Sequence, residues 1–82
     1  MEKSIVVKST VGLHASLAAR IVQAANEYTV DINLYYKDKV VDVKSILGLM
    51  SLAIPSGENV KIVAEGAQAE LAINHIAAIL EN

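Results

Sequence analysis

The stretch SIVVKSTVGLHASLAARIVQ, Ser4 to Gln23, contains the change of period that decides the fold. Ser4-Ile5-Val6-Val7-Lys8 is a short β-branched run and predicts a strand. Ser9 to Gly12 is a polar, glycine-ended turn. Beyond it Leu17, Ile21, Ala25 and Tyr28 recur every three or four residues, as do Ala18, Val22 and Ala25. That spacing predicts an amphipathic helix from about Ala15, with Ser16, Arg20, Gln23 and Glu27 on its outer face.

Further along, Val30-Asp31-Ile32-Asn33-Leu34-Tyr35-Tyr36 alternates with period two, as a half-buried strand does. Lys37-Asp38-Lys39 is a tight turn and Val40 to Val43 returns, so the two runs form a hairpin. The turn has no glycine, and Asp38 is expected to take the positive-φ position. Ser45 then caps Ile46-Leu47-Gly48-Leu49-Met50-Ser51-Leu52, a short helix apolar almost all round. IPSGEN is loop, Asn59 to Glu65 a strand ended by Gly66, and Ala67 to Leu80 a last helix. Its inward residues are Ala69, Ile73, Ile76, Ala77 and Leu80. The order β-α-β-β-α-β-α, with helices gathered on one face of a sheet, predicts a two-layer α+β sandwich.

Composition narrows the class. With 82 residues there is room for one domain, 1–82. Hydrophobic residues make up 54% without any Phe or Trp, so the core must be aliphatic. Cysteine is absent, which removes disulfides and thiolate zinc sites as staples. No N-terminal apolar leader and no run of membrane-spanning length is present, so a soluble, intracellular chain is expected. Seven basic and nine acidic residues are scattered, giving a net charge of −2. There is neither the basic stripe nor the stacking aromatics that nucleic-acid binding requires, so neither nucleic acid nor membrane is an expected partner.

Three places hold residues with chemistry. His14 stands just before a helix whose opening turn has unpaired N–H groups and a partial positive charge. An imidazole there suits a phosphoryl carrier, since the helix start favours the new negative charge. Spacing alone favours an ordinary helix-flanking histidine. Ser45, before the short helix, is read either as a plain N-cap or as a phosphate site. Leu47, Leu49, Met50 and Leu52 are either core or a partly exposed contact patch. His75 has no carboxylate or second histidine at ligand spacing, so it is expected on the surface and no metal site is expected.

The blocks GLHASLAARIVQAA, Gly12 to Ala25, and VKSILGLMSLAIPSGENVKIVAEG, Val43 to Gly66, resemble HPr, the histidine-containing phosphocarrier of the bacterial sugar phosphotransferase system. The resemblance runs the whole chain and implies a single HPr-like domain. It also implies an open-faced β-sandwich with an antiparallel four-stranded sheet. KSILGLMSL is similar to the form in low-GC Gram-positive bacteria, in which the matching serine is phosphorylated by an ATP-dependent kinase/phosphorylase.

The resemblance implies a cytoplasmic carrier with no cofactor, a member of a relay and not a stand-alone catalyst. His14 would accept a phosphoryl group from enzyme I and donate it to sugar-specific IIA domains. Ser45 would be a regulatory phosphorylation site. Ile46, Leu47 and Met50 would dock those partners and the transcription factor of carbon catabolite repression. The family pattern at the histidine is G-[LI]-H-x-R-P-A. Here Ser16 stands in place of the arginine and Leu17 in place of the proline. Gln23 and Asn26 stand where the family often has lysines.

Arg guanidinium binds phosphate bidentately, which serine does not imitate. Arg20 lies six residues after His14, about 9 Å along a helix axis, and a guanidinium leaning back over the small Ser16 would approach the phosphoryl oxygens. It either substitutes for the missing arginine or merely pairs with Glu27 or solvent. Three functions are consistent with these features. One is a phosphocarrier in a relay. Another is a regulatory paralogue read through Ser45 with little carrier traffic. The last is an interaction domain using the fold alone. A regulatory branch of the family lacks the active histidine; this chain keeps His14.

Overall fold

A computed structural model describes residues 1–10 and 12–81; Val11, part of the expected Ser9–Gly12 turn, and Asn82 lie outside the described residues. Across them the order is β1 (Glu2–Val6), α1 (Ala15–Ala25), β2 (Asp31–Tyr36), β3 (Lys39–Asp42), α2 (Ile46–Ser51), β4 (Asn59–Glu65) and α3 (Ala69–Leu80). The four strands form one antiparallel sheet in the order β1-β4-β2-β3. This is the expected α+β architecture.

Alternation sets which face of the sheet is covered. Ile5, Ile32, Leu34, Tyr36, Val60, Ile62 and Ala64 are buried against the helices. Their sequence neighbours Val6 and Tyr35 are exposed, as is Val40, which pairs with Tyr35, so the opposite face is open. The helices complete one aliphatic cluster with that inner face, in which Tyr36 is the aromatic member. Small side chains decide how closely the helices approach: Ala18, Ala24 and Ala25 of α1, and Ala69, Ala72 and Ala77 of α3, are all buried. Alanines at a crossing shorten the distance between axes, and α1 packs directly on α3. Truncating one of the fully buried isoleucines, such as Ile62, to Ala would cost about 2–5 kcal/mol.

Several boundaries and placements differ from the sequence reading: α1 ends at Ala25, short of Glu27 and Tyr28, and β3 runs over Lys39–Asp42 in place of Val40 to Val43. β1 begins at Glu2, because Glu2 and Lys3 pair with Val63 and Ile62 of β4. Val7 and Lys8 lie beyond the ladder and bond instead to the Glu58 and Leu80 carbonyls at 3.0 Å each. Backbone pairing decided this edge, not side-chain propensity. In the hairpin Lys37, not Asp38, takes positive φ, at 56°. The Tyr36↔Lys39 pairing leaves a two-residue loop, whose first position must turn the chain. α3 starts at Ala69, since the Ala69 N–H bonds the Gly66 carbonyl at 3.2 Å and residues 66–68 form a turn. Finally, His75 is half-buried, its Nδ1 2.9 Å from the Tyr28 hydroxyl. Its ring meets the Tyr28 ring edge to face at 5.8 Å, across the seam between α3 and the end of α1.

Candidate functional site

His14 is the N-cap residue of α1, extended at φ −107° and ψ 177°, and its carbonyl accepts the Ala18 N–H at 2.8 Å. Its imidazole is exposed and makes no bond to its own helix. Opening amides of a helix have no partner within it, and the first turn of α1 contains no acidic side chain. An anion at this end therefore meets N–H groups and the positive end of the helix dipole.

Two backbone hydrogen bonds hold the loop that delivers His14. The Gly12 N–H bonds the Ser9 carbonyl at 3.0 Å and the Leu13 N–H bonds the Ile54 carbonyl at 2.8 Å. Gly12 has φ +73°, and a Cβ there would stand 2.3 Å from the Ile54 oxygen. Only glycine fits that approach. Leu13 and Ile54 are both buried and anchor the two strands of the contact.

α2 has six residues, too few to be stable alone. Ser45 caps it: the Oγ accepts the Gly48 N–H at 3.0 Å, with the serine backbone extended at φ −108°. The preceding corner is fixed by Lys44 N–H donating to Asp42 Oδ1 at 2.8 Å and Ser45 N–H to the Asp42 carbonyl at 3.0 Å. Lys44 Nζ reaches across to the Tyr28 carbonyl at 2.9 Å. The two possibilities for the apolar residues resolve by face. Leu49 and Leu52 are core, while Ile46, Leu47 and Met50 are 39%, 78% and 44% exposed. Spaced i, i+1 and i+4, those three form one outward apolar patch.

His14 and Ser45 therefore each stand at a helix start, with Ser16 and Arg20 along α1 and Ile46, Leu47 and Met50 along α2. α1 packs on α2, and the connection after α2 clasps the His14 loop. Ser45 lies at the other end of α2, about 9 Å of helix away. Ser16 and Arg20 are exposed on α1, and Arg20 makes no ion pair or side-chain hydrogen bond among the described residues, so its expected alternative pairing with Glu27 is not made. Sequence reasoning missed the Ile54 clasp, the Tyr28–His75 contact and the Lys44 tether. Each joins residues far apart in the chain, and no local pattern marks them.

The family described as PTS HPr component phosphorylation site matches residues 1–82. The chain belongs to the HPr family. The HPr-like protein Crh of Halalkalibacterium halodurans is 42% identical over 81 residues, covering 99% of this chain and 96% of that protein. The phosphocarrier protein HPr of Bacillus anthracis is similar in structure, with a TM-score of 0.93 at 41% identity, over 98% of this chain and 95% of that one. Crh of Bacillus subtilis, a catabolite repression protein seen in its crystal as a domain-swapped dimer, gives 0.80 at 41% identity, over 92% and 86%. In this HPr-family chain no helix of the described residues is long and apolar enough to cross a membrane.

Proposed function

We propose that the chain, as one HPr-like domain over 1–82, is a cytoplasmic phosphocarrier of the phosphoenolpyruvate-dependent relay. An unprotonated ring nitrogen of His14 attacks the phosphorus on an enzyme I-like donor. The N–P bond to His14 forms as the donor's bond to phosphorus breaks, its electron pair leaving with the donor. The reverse exchange passes the group to a IIA-type acceptor domain. What carries this reading is the exposed His14 imidazole, unengaged at the start of α1. Ser16 hydroxyl and Arg20 guanidinium are the side chains of α1 assigned to the phosphoryl oxygens, in place of the family's arginine. Ile46, Leu47 and Met50 form the docking patch, and Ser45 the regulatory phosphorylation site beside it. A phosphate there adds about −1.5 to −2 charges next to Ile46 and Leu47, which changes partner choice without refolding. The test is incubation with phosphoenolpyruvate and enzyme I. An acid-labile label is expected that His14→Ala abolishes, and an unlabelled wild-type chain refutes the carrier role.

Ser16 and Leu17, in place of Arg-Pro, together with the likeness to Crh, favour a second reading. In it the chain is a regulator in catabolite repression, read through Ser45 by a kinase/phosphorylase and a transcription factor. Label from ATP and that kinase at Ser45, with none at His14 from enzyme I, would select it. A wild-type chain that the kinase leaves unmodified would exclude it.

A further inference from the structure

Ala53, the first residue beyond the end cap of α2, has φ +48°. An alanine in the left-handed region is uncommon, because its Cβ crowds the following carbonyl. Helices often end on such a residue, and glycine is the usual occupant. Nothing in packing asks for alanine here, since Ala53 is exposed while its neighbours Leu52 and Ile54 are buried. The left-handed residue lies between two buried neighbours, and the Ile54 carbonyl just after it faces the His14 loop. Ile54 precedes Pro55, which confines it to extended conformations, so the direction of that carbonyl is fixed from both sides. Its acceptor lobe meets the Leu13 N–H at 2.8 Å, one residue before His14.

We propose that Ala53 is a positioning residue for His14: its left-handed backbone aims the Ile54 carbonyl at Leu13 and so holds the histidine in its cap conformation. This rests on the phosphocarrier reading for its purpose, but its geometry is testable without any partner. Ala53 touches no reacting atom and acts through one backbone hydrogen bond. The requirement is for φ, not for side-chain volume. Glycine therefore keeps the clasp, a longer side chain not branched at Cβ weakens it, and a β-branched one breaks it.

The experiment compares Ala53→Gly, Ala53→Leu and Ala53→Val in the full chain. Amide exchange at Leu13 is read by NMR, with Ile62, paired on both sides in the sheet, as internal reference. Leu13 exchange is expected to accelerate about tenfold in Ala53→Val, less in Ala53→Leu and not at all in Ala53→Gly, with Ile62 unchanged. With phosphoenolpyruvate and enzyme I, His14 labelling should slow about tenfold in Ala53→Val and stay at the wild-type rate in Ala53→Gly. Kinase labelling of Ser45 should be the same in all. If Ala53→Val does not fold, Ala53→Leu against Ala53→Gly makes the same comparison. Equal Leu13 protection in every variant overturns the proposal, as does loss of Leu13 and Ile62 protection together. So does a Leu13 amide set free while His14 labels at its normal rate. If the wild type is never labelled at His14, the carrier reading fails and the exchange data still decide what Ala53 does.

Discussion

The starts of α1 and α2 share a backbone and differ in everything their side chains do. His14 and Ser45 are both extended N-cap residues, at φ −107° and −108°. Ser45 spends its oxygen on its own helix, through the Gly48 N–H. The His14 side chain makes no hydrogen bond to α1, which leaves the ring unengaged among the described residues. The eleven-residue α1 tolerates this because five of its residues are buried. The six-residue α2 has one buried residue within its span and needs the cap. A helix stabilised by packing can leave its first turn open for an anion; a short one cannot.

The sharpest way to break this contrast is to disturb what holds the open end in place. Gly12→Ala adds a Cβ against the Ile54 oxygen at a positive φ, and should cost about 3 kcal/mol in urea-induced unfolding. The loss of stability should be accompanied by loss of His14 labelling. A smaller, paired test exchanges the roles of the caps. Ser45→Ala should cost about 1 kcal/mol, and His14→Ser should add about as much while abolishing carrier activity. Thermal unfolding reads both, as midpoints about 4–8 °C apart from wild type in opposite directions. A His14→Ser chain no more stable than wild type would mean that the amides of α1 are already satisfied.

Arg20→Ala should act on chemistry alone. It should shorten the phosphohistidine lifetime about threefold, in line with an exposed charge contact, and leave the fold and Ser45 labelling intact. Ser16→Arg combined with Leu17→Pro should make Arg20 dispensable. The smallest effect lies away from both caps. The Tyr36 hydroxyl donates to Glu58 Oε1 at 2.8 Å, and that bond, with burial and the Glu58 charge, raises the phenol's pKa against the lowering effect of Lys37. The folded state therefore holds this proton more tightly than the unfolded chain does. The resulting stability is complete below about pH 10 and is lost as pH rises through the raised value. Denaturant midpoints of wild type should fall faster there than those of Tyr36→Phe.

Much of this was legible because it is local. The switch from β-branched run to 3.6-residue spacing marks β1 and α1, and strict alternation marks β2 with its buried face. Ser45 before an apolar run marks a cap, and His14 before Ala15 marks an open helix start. The edges failed where tertiary pairing overrode local preference, as at Glu2-Lys3, which pair with β4 despite being charged. The hairpin turn failed because neither Lys37 nor Asp38 has the glycine that would single out the strained position. The missing half of the site is the Ile54 carbonyl. A backbone atom forty residues from His14 leaves no mark in composition or spacing.

The three tyrosines sit in three unlike surroundings, and with no tryptophan in the chain nothing outshines them. Tyr28 faces the His75 ring, Tyr35 lies under the Lys61 ammonium at 5.1 Å, and Tyr36 is hydrogen-bonded to a carboxylate. Ultraviolet emission from this molecule is thus a sum of an inter-helix probe, an open-face probe and a core probe. Single Tyr→Phe replacements separate the three, giving an intrinsic optical readout of which layer responds when a phosphoryl group arrives.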